Sequence, residues 1–102
     1  MKGTLGICAT TSSSLTHLLG ITSAAVRAGK RVEVFITGQA ARFTQDSRFA
    51  EVVALADVAI CEVSYFAAGY QGVEIPGLGD KDFVTQARNA DLAERCERYL
   101  LI

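Results

Sequence analysis

Apolar positions along this 102-residue chain change period in alternating blocks. Short β-branched or alternating runs at Leu5–Ala9, Arg31–Thr37, Val58–Val63 and Tyr99–Ile102 read as strands. Between them the spacing is helical. Leu15, Leu18, Leu19, Thr22 and Val26 form one stripe, widened by Ala25 and Ala28. It follows the hydroxyl-rich loop Thr10–Ser14 and is closed by Gly29 and Lys30, as a C-terminal cap closes a helix. Gly20 inside this helix is expected to permit close packing. In Arg31–Thr37, Val32, Val34 and Ile36 point one way and Phe35 the other, so both faces of that strand should be covered.

Gly38 turns the chain away, and Gln39–Gln45 reads as a loop or a short helix. Asp46 or Ser47 then caps a helix whose buried stripe is Phe49, Val52, Val53 and Ala56. After Val58–Val63, Ser64 is placed to cap the next helix, and the Pro- and Gly-rich stretch 72–79 reads as a loop. Asp80 can cap a helix from about Lys81. The phase of its apolar positions shifts near Asn89, which predicts a break or second cap there. The order β, α, β, α, β, α, α, β requires an α/β fold, read as a single domain over residues 1–102. Its parallel sheet should have about four to five strands, with helices on both faces and right-handed crossovers.

Composition narrows the partners. Half of the residues are apolar and mean hydropathy is +0.27, more than one small core needs, so part of that surface is expected to face another subunit. Formal charge is −1 with Lys and Arg scattered, which lacks the footprint of a nucleic-acid or anionic-membrane binder. The start, Met1–Cys8, carries one positive charge, and Thr10–Ser14 interrupts it short of a signal-peptide core. No run is long enough to span a membrane, so the expectation is a cytoplasmic protein.

The cysteines Cys8, Cys61 and Cys96 are far apart, without a C-x-x-C pair, and His17 is the single histidine. That pattern suits neither a disulfide framework nor a zinc site, and free thiols fit a reducing compartment. Cys61 is the candidate for chemistry. It lies near the carboxyl end of the third predicted strand, where ligands and reactive groups collect in open α/β sheets and where a thiol is easier to ionise. Adjacent Glu62 opposes ionisation if it points the same way. The competing reading is a small buried hydrophobe in a strand, the usual place of free cysteine.

Three places in the chain resemble the DsrE/DsrF-like family, which includes the TusD-type subunits of sulfur-relay complexes: Glu33–Gly38 at the second strand and its exit, Cys61-x-x-Ser64 with Gly69 and Gly72 beyond, and Asp82-Phe83-Val84 followed by the terminal strand. The resemblance covers most of the chain. It implies a flavodoxin-like, DsrE-like sandwich that assembles as a trimer or hexamer, or with related subunits in a hetero-oligomer. It also implies that Cys61 carries sulfur as a persulfide between donor and acceptor proteins. Glu62 after the cysteine and the presence of Cys8 depart from the family pattern.

Persulfide transfer needs only thiol chemistry, so no cofactor or metal is expected. Anionic sulfur needs donors nearby, and the N–H groups after Ser64 are the first candidates. Arg42 and His17 in neighbouring loops come next, and Tyr65 and Tyr70 are placed to shape a pocket. Solvated surface roles compete for Arg42 and His17, and core or interface roles for the tyrosines. Cys8 also ends a strand and is a candidate exchange partner for Cys61, while Cys96, one turn after Leu92, reads as packing. Two other functions compete: a small anion- or nucleotide-binding module in which Thr10–Ser14 cradle a phosphate, and a non-catalytic structural oligomer with an inert Cys61.

Overall fold

The computed structural model describes residues 3–102. Met1 and Lys2, included in the readings of the N-terminal segment and of the 1–102 domain, lie outside the described residues. Strands β1 (Thr4–Ala9), β2 (Arg31–Ile36), β3 (Asp57–Cys61), β4 (Phe83–Val84) and β5 (Arg98–Leu101) form one sheet of order β4-β3-β2-β1-β5, with every neighbouring pair parallel. Helices α1 (Leu15–Arg27), α2 (Phe49–Leu55) and α3 (Glu62–Ala67) lie between β1 and β4, and α4 (Ala87–Arg95) joins β4 to β5. The expected parallel α/β sheet with helices on both faces is therefore borne out.

Alternation along the strands divides the core. Ile7, Ala9, Val32, Val34, Ile36, Val58 and Ile60 share one cluster with Leu15, Leu18, Phe49, Val52 and Tyr65. The intervening residues Cys8, Phe35, Ala59 and Cys61 face the other way, into a smaller cluster with Leu92 of α4. Handedness explains the unequal layers. The connections from β1 to β4 step across the sheet in one direction and lie on one face. The return from β4 to β5 runs backwards, so the same right-handed crossover places α4 on the opposite face.

Two features seat α4. A Cβ at Gly6 of β1 would lie 2.9 Å from Cys96 Sγ and 3.0 Å from Leu92 Cδ2, so only glycine allows this approach. Glu33 of β2 accepts two hydrogen bonds from the Arg95 guanidinium, at 2.6 and 2.7 Å, and Arg95 also donates to Asp91 one turn earlier.

Other boundaries follow local chemistry. α1 closes as predicted, with Lys30 N–H donating to Ala25 C=O and Gly29 N–H to Val26 C=O. Gly20 does not serve close packing: it is exposed, and a Cβ there would meet nothing within 4 Å. Gly38–Gln45 is a 3-10 helix. Asp46 accepts the Arg48 backbone N–H, but that turn lies before the helix and neither Asp46 nor Ser47 caps it. Arg48 holds the cap position of α2 without a side-chain cap bond, and Phe49 and Val52 beyond it are buried.

The third strand ends at Cys61, two residues before the predicted Val63, because its ladder to β4 stops there and Val63 is turned out to solvent. Ser64 is consequently the third residue of α3 and not its cap; Cys61 occupies the cap position. No helix begins at Lys81. Asp80–Asp82 is a single 3-10 turn, Phe83–Val84 is the edge strand β4, and α4 starts only at Ala87. The phase shift read at Asn89 thus marks two elements: Phe83 packs against the larger cluster from a strand, and Leu92 enters the smaller one from a helix. Among the described residues no helix is long and apolar enough to cross a membrane.

Candidate active site at the end of the third strand

β3 and β4 are neighbours, yet the helices that follow them leave to opposite faces, α3 to the larger cluster and α4 to the smaller. Such a reversal is the usual place for ligands in open α/β sheets. Cys61 is the last residue of β3, level with Val84 of β4, and its side chain points to the α4 face with 4% of the residue exposed.

The groups around the thiol come from three chain segments. Gly38 leaves β2 with φ 58°, a left-handed turn that suits glycine, and its N–H donates to Ser64 Oγ at 2.9 Å. The Gln86 side-chain amide, at the start of α4, donates to Thr37 Oγ1 at 2.9 Å and toward Cys61 Sγ at 3.5 Å. Thr37 Oγ1 and Ser64 Oγ are 3.3 Å apart. Each hydroxyl oxygen therefore already accepts an N–H, which leaves its own proton free to point toward sulfur or the other hydroxyl. The backbone N–H of Ser64 also reaches the sulfur.

These donors set the thiol apart. Burial pushes the Cys61 pKa up, but hydrogen bonds from the Ser64 hydroxyl and backbone N–H, then Gln86 and Thr37, outweigh it and the net shift is downward. Burial raises Cys8, despite a hydrogen bond with Tyr99, and burial followed by the Glu33 charge raises Cys96. Among the three thiols, Cys61 is the one held ready to ionise.

Comparison with protein-family models, with curated proteins and with solved structures finds no match to this chain.

Of the residues singled out in the sequence, Ser64 stands in the thiol's hydrogen-bond network. Tyr65 is 1% exposed; its hydroxyl donates to Val73 C=O at 2.8 Å and its ring packs against Tyr70 and Phe83, away from the Cys61 face of the sheet. Arg42, on the 3-10 helix, and His17, on α1, are exposed, and neither takes part in the network around the sulfur. Glu62 is exposed and turns to a separate cleft that Cys61 does not line. In the Thr10–Ser14 loop, the Thr10 hydroxyl donates to Ile102 C=O and the Ser14 hydroxyl to Thr11 C=O, so both are engaged with backbone.

Strand register separates Cys8 from Cys61. Cys8 is level with Phe35, and Phe35 with Ala59, two residues short of Cys61. Two strand spacings alone amount to about 10 Å. A disulfide needs Cα atoms within about 7 Å, so Cys8 is not a resolving partner in this arrangement. Among the described residues no group of three or more His, Cys, Asp or Glu is arranged to hold a metal ion.

Thr37 and Gln86 are the site residues that sequence reasoning missed. Thr37 was legible in principle, as the residue leaving the strand next to β3. Gln86 was not, because the stretch around it read as helix and its place depends on β4 forming.

Proposed function

We propose that this chain is a sulfur-relay protein of the DsrE/DsrF-like kind, carrying sulfur as a persulfide on Cys61 between donor and acceptor proteins, within an oligomer of its own or related subunits. The observation that supports this reading best is the convergence of Thr37, Ser64 and Gln86 on one thiol whose ionisation they favour.

The chemistry conserves electrons. The Cys61 thiolate attacks the outer sulfur of a donor persulfide, R–S–SH. A bond forms between Cys61 Sγ and that sulfur, the donor S–S bond breaks, and the donor leaves as a thiolate, giving Cys61–S–SH. An acceptor thiolate then attacks the same outer sulfur and Cys61 leaves as a thiolate, so no external oxidant or reductant enters. The donors that lower the Cys61 pKa make it a better leaving group in the second step, and they can also hold the negative charge of the loaded persulfide.

The test is discharge. Protein loaded with cysteine persulfide is treated with cyanide, which converts transferable sulfur to thiocyanate, before and after addition of an acceptor thiol. About one thiocyanate per chain is expected from loaded protein separated from the donor, little from protein treated with the acceptor and then separated from it, and none from Cys61→Ser. A wild-type protein that never yields thiocyanate would overturn the proposal.

A further inference from the structure

A concavity lies beyond α3, bounded by that helix and the loop 72–80. It has a volume of about 750 Å³, within the range of ligand-binding clefts. Phe66 and Val73, each 42% exposed, present apolar surface to it, with Phe83 behind them. The wall is tied in place. Tyr65 Oη donates to Val73 C=O at 2.8 Å, Ile75 is buried in the core, and Gly79 N–H donates to the Asp82 carboxylate at 2.8 Å.

Among the described residues, the charged side chains lining this cleft are Glu62, Glu74 and Asp80, and no Lys, Arg or His lines it. Among the described residues none of the three carboxylates is in an ion pair. Not every exposed carboxylate elsewhere is paired: Asp57, Asp46 and Asp91 have Arg31, Arg48 and Arg95, while Glu51 and Glu94, like these three, are in no ion pair among the described residues. What sets the cleft apart is that three unpaired carboxylates share one lining. A partly enclosed cleft with one sign of charge draws the opposite sign and repels its own. Carboxylates beside exposed apolar side chains suit a cation that carries apolar groups of its own, as a Lys- or Arg-containing segment does.

We infer that this cleft docks a basic segment of a partner protein, with an apolar side chain seated against Phe66 and Val73 and flanking Lys or Arg side chains facing Glu62, Glu74 and Asp80. The inference stands apart from the thiol chemistry, because Cys61 does not line the cleft.

The probe is a fluorescein-labelled peptide of alternating lysine and leucine, compared with its glutamate and leucine counterpart by fluorescence anisotropy. Saturable binding of the lysine peptide is expected. It should weaken about tenfold or more in Glu62→Gln/Glu74→Gln, in Phe66→Ala, and when salt rises from about 50 to about 300 mM. Cys61→Ala and the charge-matched control Glu51→Gln/Glu94→Gln, both of whose sites are exposed, should bind as wild type does. Thermal melts confirm that each variant is folded. Absence of saturable binding, equal loss in the control pair, or equal binding of the glutamate peptide would overturn the inference. Binding that is unchanged in a Cys61 variant unable to load sulfur would leave this inference standing while the relay proposal is judged on its own test.

Discussion

Of the three thiols, Cys61 is the one whose ionisation the fold favours, and the cause lies in where two hydroxyl protons are left to point. Gly38 N–H occupies the Ser64 oxygen and the Gln86 amide occupies the Thr37 oxygen, so both hydroxyls can donate toward sulfur. The rate of iodoacetamide alkylation at Cys61 should therefore follow a titration centred below that of an unperturbed cysteine. Ser64→Ala removes the strongest donor and should move that midpoint up. Gln86→Leu should do so less, while keeping a similar bulk over the sulfur. Peptide mapping at neutral pH should find Cys8 and Cys96 slow, since burial raises both. A profile for Ser64→Ala that overlays wild type would remove the network from the account.

Helix α1 and the stripe of α2 were legible because their apolar spacing has one solution, and Gly29 and Lys30 mark the end of α1. The cap read at Asp46 or Ser47 was not, because the turn that Asp46 makes lies before the helix. The segment 80–89 was not. A two-residue strand has no period to read, and Phe83 and Val84 pair with Ile60 and Cys61 only because β3 offers an unpaired edge there. Gly20 was misread for a related reason: a glycine in a helix looks the same in sequence whether it faces a neighbour or water. Because a methyl group there would meet open space, Gly20→Ala should raise stability by about 0.5–1 kcal/mol in urea unfolding. A loss of stability would mean that this face of α1 is covered.

The attachment of α4 gives a pH-dependent test. The Arg95 hydrogen bonds lower the Glu33 pKa, outweighing its desolvation. A lowered carboxylate pKa stabilises the fold above the unfolded value of about 4.3, and that contribution is lost as pH falls through the folded value. Glu33 is largely buried and Arg95 half-buried, so Glu33→Gln should cost about 1–3 kcal/mol at pH 7. The difference from wild type should shrink below about pH 4. A cost that is the same at both pH values would assign it to packing and not to charge.

Across the molecule, one topological fact links fold to chemistry. The sheet steps in one direction from β1 to β4 and then returns to β5, and the reversal sends α3 and α4 to opposite faces beside the end of β3. Cys61 lies at that reversal, with Gln86 supplied by the far side of it. The parallel α/β class and the place of Cys61 at a strand end were readable from block order and from one cysteine at the end of an apolar run. The opposed exits of α3 and α4 beside it were not, because they depend on strand order, which local pattern does not encode.

The most direct test is the intact mass of the native protein after incubation with a persulfide donor, beside Cys61→Ala and Cys8→Ala. The account predicts a gain of about one sulfur atom in wild type and in Cys8→Ala, and none in Cys61→Ala. A wild-type mass that does not change, with Cys61 also resisting alkylation in the folded protein, would contradict it.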